Sequence, residues 1–310
     1  MDRKPVIAVL VPCLNEAGAI AKVVADFKTA LPEATIYVYD NGSTDDTMKV
    51  AQAAGAVVRE QPLKGKGNVV RRMFADVEAD VYLLVDGDDT YDAKAAPALV
   101  DKLLHNCADM VNASRVSEAV AAYRAGHRFG NVMLTSLVAW FFGNHIRDLL
   151  SGYRVFSRRF VKSFPAQSAG FEIETELSVH ALQLRMPLAE VPTVYKERAE
   201  GTESKLSTYR DGWRILRTIA YLVREEKPFA FFSWVATVLL ALALLLGIPV
   251  VLEYLSTGLV PRLPSALLAT ALVLLGFLSF TCGLILDSVS KSRTELRRLS
   301  YLSVPVRFSR

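Results

Sequence analysis

Three carboxylates within four residues, Asp86, Asp88 and Asp89, close an apolar run in Val81–Tyr91, which reads VYLLVDGDDTY. Acids this close repel one another unless a cation or hydrogen-bond donors offset them, which points to a divalent metal held by oxygen ligands. A solvated acidic turn is the alternative for this stretch taken alone. An EF-hand loop is excluded: counting from Asp86, the sixth position is Tyr91 where glycine is needed, and the twelfth is Pro97 where glutamate is needed. Gly65-Lys66-Gly67 opens another candidate site, since backbone N–H groups at a helix start together with a lysine suit a phosphate. It is neither a P-loop, which needs an earlier glycine and Ser or Thr after the lysine, nor a dinucleotide fingerprint, because Val70 stands where the third glycine belongs. A plain helix start explains it equally well.

The elements that must position these groups are legible from periodicity. Val6–Val11 is a continuous apolar run closed by Pro12, as for a strand buried on both faces. Glu16–Ala30 carries Ile20, Val23, Val24 and Phe27 at helical spacing. Ile36–Tyr39 and Ala56–Arg59 read as strands around a helix at Asp45–Ala54, with Ser43 or Thr44 as its N-cap. A helix from Gly65 to Ala75, a strand at Val81–Val85, a helix at Lys94–His105 and a strand at Asp109–Ala113 continue the alternation. The order predicts an α/β fold with a mostly parallel, doubly wound, Rossmann-like sheet. The polar turns Pro12–Glu16, Asp40–Asp45 and Asp86–Asp89 all follow strands, so a parallel sheet brings them to one edge as a single cleft.

The 310 residues are 52% hydrophobic, and the excess lies after Pro228. Phe229–Leu252 and Leu263–Leu286 contain no charged residue, and each has 24 residues, about 36 Å as a helix and long enough to cross a bilayer core of roughly 30 Å. Neither has a polar face, so two membrane spans joined as a hairpin are expected. Basic residues gather before the first span (Lys205, Arg210, Arg214, Arg217, Arg224, Lys227) and after the second (Lys291, Arg293, Arg297, Arg298, Arg307, Arg310). The positive-inside tendency then puts both termini and the sheet domain in the cytoplasm. Met1–Lys4 leads straight into a strand-like run, so no signal peptide is expected. Tyr209–Arg224 places Trp213, Leu216, Ala220 and Val223 on one helical face beside arginines, as in an interfacial helix. Asn131–Phe142 is apolar but too short to span; it lies in the membrane surface or packs on the sheet. The net charge of +4 gives no support for a nucleic-acid partner. Cys13, Cys107 and Cys282 lack metal-ligand or disulfide-framework spacing, and His105, His127, His145 and His180 form no hydrolytic or metal-binding set.

Taken in order, the motifs resemble the family-2 glycosyltransferases with a GT-A fold, and among them the polyprenyl-phosphate glycosyltransferases of the dolichyl-phosphate mannose synthase type. Pro12-Cys13-Leu14-Asn15-Glu16 looks like the first nucleotide-binding loop, and Asp40-Asn41-Gly42-Ser43-Thr44-Asp45 like the Asp-Asp-Gly-Ser-Thr-Asp turn, with Asn41 as a departure. Lys64–Asn68 resembles the Lys-Gly loop, Asp86-Gly87-Asp88 the Asp-x-Asp metal motif, and Asp148–Arg154 (DLLSGYR) and Gly201–Leu206 (GTESKL) two later signatures. The likeness covers about residues 5–210. It implies a catalytic domain at 1–207, an amphipathic helix at 208–228, a hairpin at 229–286 and a basic tail at 287–310.

The resemblance also implies roles. Pro12, Asn15, Glu16, Asp40, Asn41, Lys66 and Asp86 would bind the nucleotide-sugar, and Asp86 and Asp88 would hold Mg²⁺ or Mn²⁺ against the leaving diphosphate. Arg115, Arg128, Ser151, Arg198 and Lys205 would take the phosphate of a lipid acceptor, undecaprenyl or dolichyl phosphate. Asp148 would position that phosphate or a neighbouring arginine, and a structural cap is its alternative role. Glu172, Glu174 and Glu176 in FEIETE read mainly as framework, with Glu174 the alternative candidate for a base. A phosphomonoester, with its second pKa about 6, needs no strong base, so direct transfer with inversion is expected. The anchoring membrane would be the inner or plasma membrane, or the endoplasmic reticulum in a eukaryote. The donor is UDP-glucose, UDP-N-acetylglucosamine or GDP-mannose, with a UDP-sugar favoured; a homo-oligomer is compatible. The alternatives are another lipid or polysaccharide acceptor, and a non-catalytic nucleotide-sugar-binding scaffold. The Gln-x-x-Arg-Trp signature of processive synthases is absent.

Overall fold

The computed structural model describes residues 4–116, 146, 148–196, 217, 220, 221, 224 and 227–305. The chain divides into a sheet unit, residues 1–217 with 297–310, and a second unit, residues 218–296.

The sheet unit alternates β1 (Ile7–Cys13), α1 (Ile20–Ala30), β2 (Thr35–Asp40), α2 (Thr47–Ala53), β3 (Val57–Glu60), α3 (Lys66–Asp76), β4 (Val81–Leu84), α4 (Ala96–His105) and β5 (Met110–Val116). It continues with β6 (Arg154–Ser157), α5 (Arg158–Ser163), α6 (Ile173–Gln183) and β7 (Leu188–Val194). The strand order is β3-β2-β1-β4-β6-β5-β7. All pairings are parallel except those of β6, which runs antiparallel between β4 and β5. The expected mostly parallel α/β sheet is therefore present, with one antiparallel insertion. Every residue of β4 is buried, as its uninterrupted apolar run requires. Helix α1 buries Ile20, Val23, Val24 and Phe27, the four residues singled out by helical spacing.

Local chemistry corrects two expected boundaries. Helix α1 starts at Ile20, not at Glu16, because the preceding backbone is committed to the neighbouring turn: Glu16 N donates to Thr47 Oγ1 at 2.8 Å and Ala17 N to Asp45 Oδ2 at 3.2 Å. Neither Ser43 nor Thr44 caps α2. Ser43 Oγ donates to Asp40 and accepts from Asn15 N, and Asp45 Oδ1 instead accepts from Thr47 N at 3.1 Å.

In the second unit, α7 (Pro228–Thr257) and the apolar part of α8 (Leu263–Ser303) are long and apolar enough to cross a membrane, with mean hydropathies of 2.8 and 2.2 in their most apolar stretches. The buried positions of α8 are Ala269, Gly276, Gly283 and Ser290, and those of α7 beyond its first residue are Ala236, Ala243 and Val250. Each set repeats every seven residues, a seam that keeps two helices in register. A Cβ on Gly283 would lie 2.9 Å from Phe232 Cβ, so small residues permit the close approach. Leu244, Leu245, Leu255, Leu267 and Leu274 are exposed. Small residues inside and leucines outside are the arrangement for lipid, compatible with a hairpin. The helix does not end with the apolar stretch at Leu286 but continues to Ser303. Its last turns belong to the sheet unit, where Tyr301 donates to Asp109 Oδ2 at 2.7 Å and Arg297 to Gln183 Oε1 at 2.7 Å.

Candidate active site

The carboxyl ends of β1, β2, β4 and β5 surround a cleft of about 350 Å³. Its acid-rich half is built on β4. Asp86 follows the strand and pairs with Lys66 Nζ at 2.5 Å, and the same ammonium lies 2.6 Å from Glu174 Oε1 on α6. Lys66 starts α3 behind Gly65, whose φ of +119° suits glycine alone. A Cβ on Gly65 or Gly67 would come within 2.2 Å of Ala169 O or 2.1 Å of Ser168 O, so the glycines let the 168–170 backbone lie against the lysine loop. Glu176 fixes that backbone by accepting from Gln167 N at 2.7 Å and Ser168 N at 2.8 Å. Burial opposes the Lys66 charge, but Asp86 and Glu174 outweigh it and hold the ammonium pKa above its usual value. Burial raises the Glu174 pKa despite Lys66, and Glu174 Oε2 has no hydrogen-bond partner.

Asp88 is 5% exposed, lines the cleft and accepts from Thr90 Oγ1 at 2.6 Å. Asp89 has φ +58° and pairs with Lys22 of α1 at 2.8 Å, which gives the third acid a structural partner. Among the described residues this half presents Glu16, Asp86, Asp88 and Glu174 against Lys64 and Lys66, an excess of negative charge that a diphosphate would meet as repulsion. Among the described residues no three His, Cys, Asp or Glu side chains gather as a metal cage. Asp86 and Asp88 fit instead a hard divalent cation of the Mg²⁺ type, which takes one or two carboxylates and completes its shell with substrate oxygens and water.

Pro12, Glu16 and Asn41 line the cleft, whereas Asn15 and Asp40 are not among its lining residues. Asp40 is 1% exposed, and its carboxylate is taken up by the turn, accepting from Gly42 N at 2.9 Å, Ser43 N at 2.8 Å and Ser43 Oγ. Asn15 Oδ1 accepts from Thr44 N at 2.8 Å. Asn41 Nδ2 donates to Gln61 O at 2.9 Å and Leu63 O at 2.8 Å, while its Oδ1 accepts from Gly65 N at 2.6 Å. A carboxylate cannot donate those two bonds, so asparagine here locks the loop that delivers Lys66.

On the other half, Arg115 at the end of β5 holds Asp148 in a fork, Nε to Oδ2 at 2.7 Å and the terminal nitrogen to Oδ1 at 2.8 Å. The guanidinium also lies 5.5 Å from the ring centre of Tyr195. Ser151 is fully buried and donates to Ala113 O at 2.6 Å; it is not among the lining residues. Arg128, Arg198 and Lys205 lie outside the described residues, as do Asn131–Phe142 and most of the stretch 209–224 expected to form an interfacial helix.

Of two further contributors, Arg154 is not marked as a site residue by the sequence, and Glu174 is marked only as an alternative base. Arg154 is fully buried and donates to Ser151 O at 2.9 Å, Leu149 O at 2.6 Å and Ser178 Oγ at 2.8 Å, so it shapes the loop carrying Asp148. Its place in DLLSGYR was the available signal. Glu174, read mainly as framework, is the second anchor of Lys66.

Residues 8–164 match the model of the glycosyl transferase family 2. The chain is 31% identical to the Haloferax volcanii glycosyltransferase AglJ over 97% of this chain and all of that one. It is 28% identical to a dolichyl-phosphate hexose transferase of the same organism, over 71% of this chain and 95% of that one. The Mycobacterium tuberculosis glucosyl-3-phosphoglycerate synthase, solved with Mn²⁺, UDP-glucose and phosphoglyceric acid, shares the fold at a TM-score of 0.58 and 24% identity, over 70% of this chain and 80% of that one.

Proposed function

This chain belongs to glycosyl transferase family 2, and from that premise we propose that it moves one sugar from a nucleotide-sugar, a UDP-sugar in the favoured reading, to polyprenyl phosphate at the cytoplasmic face of a membrane. The observation that carries this reading is the division of one cleft into an acid-rich half at Asp86 and Asp88 and a half walled by the Arg115 fork. The two lipid-facing helices supply a reason for a lipid acceptor. A name that specifies dolichyl phosphate in one relative supports the same acceptor class.

Bound between Asp86, Asp88 and the diphosphate, Mg²⁺ or Mn²⁺ would neutralise the charge that grows on the leaving group. Lys66 stays protonated between its two acids and offers a second positive centre beside that group. Arg115, fixed by Asp148 and Tyr195, holds the acceptor phosphate. A phosphate oxygen attacks the anomeric carbon, the bond from that carbon to the diphosphate breaks, and the nucleoside diphosphate leaves on the opposite face. The acceptor is largely dianionic at pH 7, its second pKa being about 6, so no proton need be removed by Glu174.

The test is incubation of the purified full chain with Mg²⁺ or Mn²⁺, polyprenyl phosphate and a panel of nucleotide-sugars. One donor is expected to give a glycosyl phospholipid with inverted configuration. No such product from any donor, beside a working control enzyme, would reject the proposal.

A further inference from the structure

Tyr195 lies just past β7 and belongs to none of the motifs that drew attention in the sequence, yet it lines the cleft between the two halves. Its ring touches both. On one side the Arg115 guanidinium sits 5.5 Å from its centre. On the other, the Tyr91 ring meets it edge-on, with centroids 5.2 Å apart at 70°. Tyr91 closes the acidic turn, and its hydroxyl accepts from Gly152 N at 2.8 Å. Gly152 in turn abuts Asp86, since a Cβ there would lie 2.4 Å from Asp86 Oδ2. The backbone repeats the link: Tyr91 and Tyr195 form an isolated antiparallel bridge, and Lys196 N donates to Thr90 O at 2.8 Å. A continuous set of contacts therefore runs from Asp86 to Arg115, and Tyr195 is its last member.

We infer that Tyr195 is a positioning residue that aims Arg115 at the acceptor. The inference rests on the reading of Arg115 as the acceptor-phosphate cation. Asp148 holds the guanidinium through its N–H groups in two parallel bonds, whereas the Tyr195 ring attracts its charge. The ring, rather than the hydroxyl, makes both side-chain contacts, so phenylalanine should serve in place of tyrosine and leucine should not.

The experiment uses the full chain with Tyr195→Phe and Tyr195→Leu. Tyr195→Leu should raise the KM for polyprenyl phosphate by roughly 2- to 30-fold, the range of a cation–π contact of about 0.5–2 kcal/mol, with the donor KM and thermal midpoint near wild type. Tyr195→Phe should match wild type. Equal loss in both variants, a silent leucine variant, or parallel changes in donor KM and thermal midpoint would overturn the inference. Wild-type failure to glycosylate polyprenyl phosphate would strike the acceptor reading instead, so a second measurement is independent of the acceptor. Phenylglyoxal modification of Arg115, mapped by mass spectrometry, should quicken in Tyr195→Leu and not in Tyr195→Phe. Equal rates in all three proteins would likewise overturn the assignment of Tyr195.

Discussion

Lys66 and Arg115 are both buried or nearly buried cations on one cleft, and they are held in opposite ways. Lys66 lies between two acids, one of which is also a candidate metal ligand. Arg115 meets the Asp148 carboxylate in a planar fork and is backed by an aromatic ring. The difference separates two tasks. Around Lys66 negative charge is in excess, so that half gains from a divalent cation and a diphosphate arriving together. Around Arg115 the fork to Asp148 fixes the geometry, which suits recognition of a phosphate by a guanidinium of set orientation.

The largest expected effect comes from removing the cation held by two acids. Lys66→Met leaves Asp86 and Glu174 facing each other, and breaking a buried pair in this way should cost about 3–5 kcal/mol of folding stability. Chemical unfolding in detergent would read this, and Lys66→Met/Glu174→Gln should recover part of it. A stable single variant would show that the three side chains are not a charge assembly. Next in size, Asp88→Ala should lower transfer by about 10²–10³-fold while the protein stays folded and membrane-bound. Unaltered activity across a metal titration would remove Asp88 from the donor half.

On the other cation, Asp148→Asn replaces one accepting oxygen of the fork with a donor, so the acceptor KM should rise roughly 10- to 100-fold with little change in donor KM. Equal changes in both constants would erase the distinction between the halves.

A third buried base shows what happens with no acid at hand. His180 is 3% exposed with Nδ1 unpartnered, and burial, aided by Arg297, lowers its pKa to about 3. Unfolded, the imidazole takes a proton below about pH 6.5; folded, it does so only near pH 3. Stability therefore rises with pH across that window and is lost on acidification, by about 2 kcal/mol at pH 5. His180→Leu should flatten this dependence in thermal unfolding between pH 7 and pH 5; an unchanged slope would assign it to other groups.

Much of this was legible in the sequence because the relevant signals are local. The apolar runs at β1 and β4 announced strands buried on both faces, and the four buried residues of α1 were readable from spacing. Asp86, Asp88, Lys66 and Arg115 all reach the cleft. What escaped depends on contacts distant in sequence. The Lys66–Glu174 pair, the Lys22–Asp89 pair and the position of Tyr195 exist only because helices and strands far apart in the chain meet. Strand β6, RVFS, has no apolar run like that of β4 to mark it, and its insertion between β4 and β5 is a property of the sheet alone. Helix α8 outran its apolar stretch because Ser, Lys, Arg and Glu end an apolar run without ending a helix.

The central claim is that the cleft joins a sugar to a lipid phosphate. The most direct measurement offers the purified chain its donor and metal with polyprenyl phosphate or with the matching free polyprenol, and analyses the lipid products by mass spectrometry. One sugar on the phosphate-bearing lipid and none on the alcohol is the expected result. Transfer to the free alcohol at a comparable rate, or no transfer to the phosphate, would contradict it.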